Sequence, residues 1–383
     1  MTRRTIPLTE RRTRPARLPR DEAVFLMAHA RHVIDVAPTA ERGVYRLTPR
    51  GYVGFLDGPT VRYTIGPKIP WPNLCLLLGL APEASGAAVE PDGGLLAVLA
   101  TAFVERLEAV TRAGLVAGYG ERSTVSPFLR GKLRTADQMR DAAGRAFPGQ
   151  FHIDEPVFDL VTPWNRVPKA TATALLRCEL PRALRQRIEA AALPLAVLPD
   201  EVATELDFAT ARAEPRAAEY SPLLDVCRIV LDGFSAADPL TAGAGAFLLD
   251  LGRAFERYLT AAIEGAFAER PEWKVLAQPT YPVGPTELQP DIVIEKNGAP
   301  WAVFDTKWKS AKPTPDADDL HQVLAYASVT GADRVGLVYP GSVDDRAHYT
   351  APGRRVRVSL FRLRVVGTTE ELAASIKELA DAI

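Results

Sequence analysis

The segment over residues 289–309, QPDIVIEKNGAPWAVFDTKWK, constrains the fold of this chain more than any other. Two apolar runs flank an Asn-Gly pair, which is a strong signal for a two-residue type I′ turn, so the segment predicts an antiparallel hairpin. Antiparallel pairing brings the start of one strand beside the end of the next. The hairpin therefore places Asp291 and Asp305 at one end of a sheet, with Lys307 on the same face as Asp305.

Charged side chains at the end of a buried strand are costly to desolvate, so they either pair with each other or hold a ligand. Asp291, Asp305 and the backbone carbonyl of Thr306 form a set of hard oxygen donors that suits Mg²⁺, with Mn²⁺ as the alternative. Lys307 would lower the pKa of an attacking water or stabilise the charge of a pentavalent phosphate. These residues predict phosphodiester hydrolysis, and the alternative is an ion pair that only closes the end of the sheet.

Two predicted helices flank the hairpin, and each offers a polar side chain to it. The helix predicted over residues 247–267 carries Glu256 on or beside its apolar stripe, where a glutamate needs a partner. A metal or the lysine would serve, and the alternative is a salt bridge to an arginine. On the helix that follows the hairpin, Gln322 and Tyr326 lie one turn apart. They form a polar row that faces either the site or plain solvent.

The chain as a whole predicts an α/β multidomain protein with four segments. Residues 1–20 carry seven Arg and one Glu, which predicts a basic, disordered tail or an arm that contacts a phosphate backbone. Residues 21–100 begin with a helical pattern over 21–40 and continue as a β-rich module. Residues 101–240 are rich in alanine and predict a mostly helical middle region. Residues 241–383 alternate helices and strands and predict a second α/β domain.

Composition excludes several classes of protein. The chain has 383 residues, a net charge near −1 and three widely spaced cysteines, which exclude a disulfide framework and fit a reducing cytoplasm. No run of 18 apolar residues predicts a membrane span. No P-loop motif occurs, so any movement driven by a nucleoside triphosphate must come from a partner.

The P-D…D-x-K pattern of the hairpin resembles the PD-(D/E)XK nuclease superfamily. The wider chain, from residue 50 to about residue 340, resembles the McrC family, the nuclease subunit of modification-dependent restriction systems. Further segments resemble that family in the same order: GYVGFL with IGPKI, FLRGKL (128–133), TPWNRVPKATATALL (162–176), LGRAFERYL and DDLHQVLAYA. Within the last segment, His321 stands where the family usually has Tyr.

The resemblance implies a PD-(D/E)XK restriction-endonuclease-like α/β domain over residues 241–383. It implies an endodeoxyribonuclease that depends on Mg²⁺. By the resemblance, the cleavage residues are Asp291, Asp305 and Lys307, supported by Glu256 and Gln322, and the metal lies on Asp291, Asp305, the Thr306 carbonyl and Glu256.

The resemblance also implies partners. These are a hexameric McrB-like AAA+ GTPase and double-stranded, modified DNA. The N-terminal module would enter the centre of the GTPase ring and stimulate GTP hydrolysis. Two other functions stay open, a non-catalytic activator of an AAA+ ring and a stand-alone nuclease of DNA repair. Asn165, Arg166 and Lys169 would contact DNA or the ring, or else serve as helix caps and salt bridges within the chain.

Overall fold

The computed structural model describes residues 4–80, 94–142, 149–235, 245–310, 315–341, 345–350 and 356–383. The chain forms two compact units. Unit one joins Met1–Leu95 with Gly233–Ile383, and unit two is Leu96–Asp232. The division into four functional segments stays a prediction, because these units are defined by packing alone.

The helices and strands are numbered along the chain. The helices are α1 (Arg20–His29), α2 (Trp71–Leu77), α3 (Gly94–Ala113), α4 (Thr135–Ala142), α5 (Pro163–Leu176), α6 (Arg182–Ala192), α7 (Glu205–Ala213), α8 (Ser221–Ser235), α9 (Leu251–Phe267), α10 (Ala317–Thr330) and α11 (Thr369–Ala382). The strands are β1 (Arg4–Thr9), β2 (Arg14–Arg17), β3 (Ile34–Pro38), β4 (Val44–Pro49), β5 (Tyr52–Asp57), β6 (Val61–Gly66), β7 (Gly118–Ser126), β8 (Lys132–Leu133), β9 (Phe151–Asp159), β10 (Ala246–Asp250), β11 (Trp273–Ala277), β12 (Tyr281–Val283), β13 (Thr286–Leu288), β14 (Ile292–Lys296), β15 (Ala299–Thr306), β16 (Arg334–Gly341), β17 (Asp345–Thr350) and β18 (Arg357–Arg364). Short 3-10 helices lie at Leu193–Val197 and Pro215–Tyr220.

The largest sheet of unit one has six strands in the order β11-β14-β15-β16-β18-β17. Its β14 and β15 form the predicted antiparallel hairpin, and both turn residues, Asn297 and Gly298, have the positive φ that a type I′ turn requires. Strands β15, β16 and β18 run parallel, with α10 connecting β15 to β16. The central strands are buried because they are apolar on both faces, which is typical of parallel strands covered by helices.

The N-terminal segment is ordered, so the prediction of a disordered tail over residues 1–20 is wrong for the part that the structure describes. Strand β1 pairs in parallel with β6, and β2 pairs with β4. Ile6 and Leu8 are buried in the core of this region while the neighbouring polar side chains point outward. Composition alone does not reveal the apolar alternation at positions 6 and 8, because arginines predominate in the surrounding sequence.

Two predicted helices have different boundaries in the structure. The helical pattern over residues 21–40 ends with α1, and β3 follows. The helix predicted over 247–267 begins instead as β10, which pairs with β5, and becomes helical only at Leu251. Asp250 ends the strand because its side chain accepts hydrogen bonds from the amides of Gly252 and Arg253, capping the helix.

Unit two contains six of the helices and a three-stranded antiparallel sheet in the order β7-β9-β8. Neither of the nine-residue strands β7 and β9 in this region was predicted from the sequence, and the bounds 101–240 stay a prediction. Residues of β9 alternate between more and less exposed positions, as expected for a half-buried strand.

Candidate active site

The hairpin register brings the two predicted aspartates to one end of the six-stranded sheet. Ile292 pairs with Phe304, so Asp291 and Asp305 lie at adjoining positions of β14 and β15. The amide and the hydroxyl of Thr306 both donate to Asp291 Oδ2, at 2.6 and 2.7 Å. These two bonds fix the Asp291 carboxylate across the strand ends.

The predicted lysine lies between a carboxylate and an amide. Lys307 Nζ is 2.6 Å from Asp305 Oδ2, and it donates to Gln322 Oε1 at 2.8 Å. The Asp305 side chain is 2% exposed and that of Lys307 is 21% exposed. The ammonium group is therefore held in a fixed direction and still reaches solvent.

The polar row on α10 faces the site. Gln322 Nε2 donates to the hydroxyl of Tyr326 at 2.7 Å, and that hydroxyl donates to the carbonyl of Gln289 at 3.1 Å. This chain of hydrogen bonds fixes the amide of Gln322, whose oxygen then can only accept from Lys307. The alternative of ordinary surface polarity is excluded for these two residues, and His321 beside them is exposed.

Glu256 on α9 faces the same cluster. Burial and, second, the negative charge of Asp291 raise the pKa of Glu256 from 4.5 to about 7. A hydrogen bond with Gln278 and the charges of Arg253 and Arg257 act in the opposite direction and are outweighed. Both arginines act on this glutamate, but burial and the charge of Asp291 have the larger effect on its pKa.

Asp305 has the same kind of environment. Burial and, second, the charge of Asp291 raise its pKa from 3.8 to about 6, although Lys307 opposes the shift. Three carboxylates, those of Glu256, Asp291 and Asp305, thus share one region with a single lysine. An ion pair that merely closed the sheet would need only Asp305 and Lys307, whereas here the half-buried Asp291 also acts on both Asp305 and Glu256.

The donor chemistry of this cluster fits a hard divalent cation. Carboxylate oxygens and a backbone carbonyl are the ligands that Mg²⁺ prefers, and Mg²⁺ commonly uses one or two carboxylates with water and substrate phosphate completing its shell. Across the described ranges, no three His, Cys, Asp or Glu side chains form a group that could hold a metal ion by themselves. The additional carboxylates around the Asp305–Lys307 pair are the observation that favours a cation here.

Sequence reasoning missed two residues that contact the site. Gln278 hydrogen-bonds to Glu256 through its side chain, and its amide donates to the carbonyl of Asp291 at 2.8 Å. Its φ of 46° lies in the left-handed region, which is unfavourable for a residue other than glycine. Gln289 supplies the carbonyl that accepts from Tyr326. These roles become visible only in the structure, because neither glutamine belongs to a motif or a periodic pattern in the sequence.

The polar motif of α5 has partners within unit two. Asn165 is fully buried, donates to the carbonyls of Val116 and Leu160, and accepts from the hydroxyl of Tyr220. Arg166 pairs with Asp207 and Lys169 with Asp200, where they act as salt bridges within the chain. The intramolecular alternative therefore accounts for all three residues, Asn165, Arg166 and Lys169.

The fold and the site define a mixed α/β protein with an acidic cluster and a lysine at the end of a hairpin. The chain belongs to the family described as the McrBC 5-methylcytosine restriction system component, whose profile matches residues 47–340, more than half of the chain. This match confirms the family resemblance stated from the sequence motifs.

A solved structure shares this fold. A chain from the refined half-complex of the tetradecameric assembly of Thermococcus gammatolerans McrB AAA+ hexamers with bound McrC is 17% identical, with a TM-score of 0.56 over 99% of this chain and 100% of that one. A chain of the cryo-EM structure of the McrBC complex from the same organism is 18% identical, with a TM-score of 0.43 over 70% of this chain and 89% of that one. No curated protein matches the sequence. No helix in the described part of the chain is long and apolar enough to cross a membrane.

Proposed function

We propose that this chain is the DNA endonuclease subunit of a modification-dependent restriction system of the McrBC type. The observation that carries the proposal is the convergence of Glu256, Asp291, Asp305 and Lys307 at one end of the six-stranded sheet. Membership of the McrBC family supports it. The arrangement also supports a PD-(D/E)XK type of nuclease domain.

In this proposal Asp291, Asp305, the Thr306 carbonyl and Glu256 hold Mg²⁺. When bound, Mg²⁺ supplies Lewis-acid polarisation of the scissile phosphate and lowers the pKa of the attacking water. Thr306 keeps Asp291 oriented through its amide and hydroxyl donors. The chain's own contribution is therefore an Asp291 carboxylate that is already oriented, with the other proposed ligands on the same end of the sheet.

Lys307 is the electrostatic group of the proposed reaction. Its ammonium stabilises the negative charge that develops on the phosphate oxygens, and Gln322 holds it in direction. Gln322 in turn is fixed by Tyr326, so a change in either residue would loosen the lysine without removing it. This arrangement needs no histidine or cysteine.

The partner in the proposal is an AAA+ GTPase of the McrB type, because the solved chain that shares this fold comes from a complex of McrB AAA+ hexamers with bound McrC. The chain would stimulate that partner's GTP hydrolysis and cleave double-stranded, modified DNA.

A plasmid cleavage assay tests the proposal. Methylated and unmethylated plasmids are incubated with Mg²⁺, GTP, the AAA+ GTPase of the same system, and either the wild-type chain or Asp305→Ala. Cleavage of the methylated plasmid that requires the GTPase and is lost in Asp305→Ala is expected. Equal cleavage by the variant, or GTP hydrolysis that is stimulated without any cleavage, would make the chain a non-catalytic activator instead.

A further inference from the structure

A buried glutamate directly after β1 contacts Trp308, which follows Lys307 beyond the end of β15. Glu10 follows β1 and is fully buried, and its amide donates to the carbonyl of Gly66 at 2.9 Å. Its Oε1 accepts from the indole Nε1 of Trp308 at 3.0 Å and from Arg11 Nε at 3.1 Å. Its Oε2 has no hydrogen-bond partner in the structure. A carboxylate buried in this way generally costs stability relative to an apolar residue of similar volume. Its presence therefore indicates a role that an apolar side chain could not fill.

Trp308 is the residue directly after Lys307, and its ring is held on several sides. The ring is 5.5 Å from that of Phe255, the neighbour of Glu256 on α9, and Lys68 Nζ lies 4.9 Å from its centre. The side chain is buried. Packing fixes where the ring lies, and the Glu10 bond fixes how it is turned, because the indole has only one polar hydrogen.

The backbone on both sides of Lys307 is therefore anchored. On one side Thr306 is bonded to Asp291. On the other side Trp308 is bonded to Glu10. The Lys307 amide donates to the carbonyl of Val338 at 2.9 Å, and its own carbonyl accepts from the amide of Lys309 at 2.8 Å, so the chain turns here. The amide of Lys307 makes the last bond to β16, and beyond it the chain leaves the sheet, so the side-chain anchors on Thr306 and Trp308 add to the backbone bond in setting the position of the Lys307 Cα atom.

We infer that Glu10 is a positioning residue for Lys307 and acts through the indole of Trp308. The inference rests on the proposed nuclease function. It assigns to the N-terminal part of the chain a role in the chemical step in addition to any role in partner binding. Loss of the bond shifts the lysine relative to the scissile phosphate, and a displacement of about 1 Å can reduce a rate by about 100-fold.

Trp308→Phe tests the inference, because it keeps an aromatic ring and removes the donor. Trp301→Phe is the matched control. Trp301 lies on β15, which leads to Lys307, and its Nε1 also donates one hydrogen bond, to the backbone oxygen of Ile383 at 2.8 Å. In the assembled complex with the GTPase, Mg²⁺ and methylated plasmid, we expect Trp308→Phe to lower kcat about 10-fold or more with an unchanged KM for DNA. Trp301→Phe should stay within about twofold of the wild type.

Two variants of the glutamate separate positioning from packing. Glu10→Gln keeps a carbonyl oxygen for the indole and should cleave within about threefold of the wild type, while Glu10→Leu should behave like Trp308→Phe. The inference is overturned if Trp308→Phe and Trp301→Phe have the same kcat, or if Glu10→Leu cleaves as well as Glu10→Gln.

Asp305→Ala is included to separate this inference from the proposed function. An inactive Asp305→Ala with a fully active Trp308→Phe refutes the positioning role alone. An active Asp305→Ala, or a wild-type complex that does not cleave, refutes both.

Discussion

At the scale of single residues, the central feature is a group of carboxylates that the fold keeps close together against their mutual repulsion. Glu256 and Asp305 are each held near Asp291, and burial prevents water from screening the charges. The raised pKa values of Glu256 and Asp305 reflect burial first and this repulsion second. Functional sites commonly contain such arrangements, because the charges are placed for a ligand and not for stability.

The first prediction concerns the pH dependence of stability without divalent cations. Because the pKa of Glu256 is raised from 4.5 to about 7, the folded chain keeps a proton that the unfolded chain has lost in this interval. The free energy of unfolding should fall as pH rises from about 4.5 to about 7. Glu256→Gln should remove part of that fall and unfold at a higher temperature than the wild type at pH 8.

Thermal unfolding in EDTA at pH 5 and pH 8 measures this difference. Glu264→Gln, at an exposed position of the same helix, is the matched control. A Glu256→Gln variant with the same change between the two pH values as the wild type would contradict the assigned repulsion.

The second prediction concerns the hydrogen bond that directs Lys307. Gln322→Ala should lower kcat for DNA cleavage about 10-fold with little change in KM, because the lysine is retained and its direction is lost. His321→Ala, one residue away and exposed, should have no effect. Single-turnover cleavage by the assembled complex measures both, and equal rates for the two variants would show that Gln322 does not direct the lysine.

At the scale of secondary-structure elements, the sequence predicts best where a local signal is strong. The Asn-Gly turn fixed the hairpin and its register, and therefore the convergence of Asp291 and Asp305. The start of α9 was mispredicted because its apolar pattern continues backwards into β10, and only the Asp250 cap marks the boundary. The strand β9 was missed because apolar and polar residues do not alternate regularly along its sequence, and because its partner β7 is distant in sequence.

The third prediction concerns the polar motif of α5. Asn165→Ala removes a fully buried side chain together with its three hydrogen bonds, to the carbonyls of Val116 and Leu160 and from the hydroxyl of Tyr220, so it should destabilise the protein by about 1 to 3 kcal/mol. Lys169→Ala removes a pair with an exposed aspartate and should cost less than about 1 kcal/mol. Urea unfolding measures both. An Asn165→Ala protein as stable as the wild type that fails to bind DNA or the GTPase would instead favour the contact alternative.

At the scale of the whole molecule, contacts between residues far apart in sequence decide what the chain can do. The Trp308–Glu10 hydrogen bond joins residues 298 positions apart, and no periodicity or motif indicates it. Likewise, no periodicity or motif indicates that the N-terminal and C-terminal parts of the chain belong to one unit. The seven arginines in the first 20 residues suggested a solvated tail. Composition alone does not show which of the neighbouring side chains are buried by a sheet.

The fourth prediction tests whether that N-terminal segment belongs to the fold. Ile6→Ala removes buried apolar atoms from β1 and should destabilise the protein by about 2 to 5 kcal/mol. Thr5→Ala, at the exposed neighbouring position, should change stability by less than about 0.5 kcal/mol. Thermal unfolding that is the same for both variants would mean that β1 does not contribute to the core.

The central claim is that Lys307 acts on the phosphate at a cation-binding carboxylate cluster. The most direct measurement is single-turnover cleavage of a methylated duplex at saturating Mg²⁺ by the complex carrying Lys307→Met, with GTP hydrolysis recorded in the same reaction. Methionine keeps the length of the side chain and removes the charge, so we predict a cleavage rate lower by about 100-fold or more, with GTP hydrolysis unchanged. Cleavage at the wild-type rate would contradict the account.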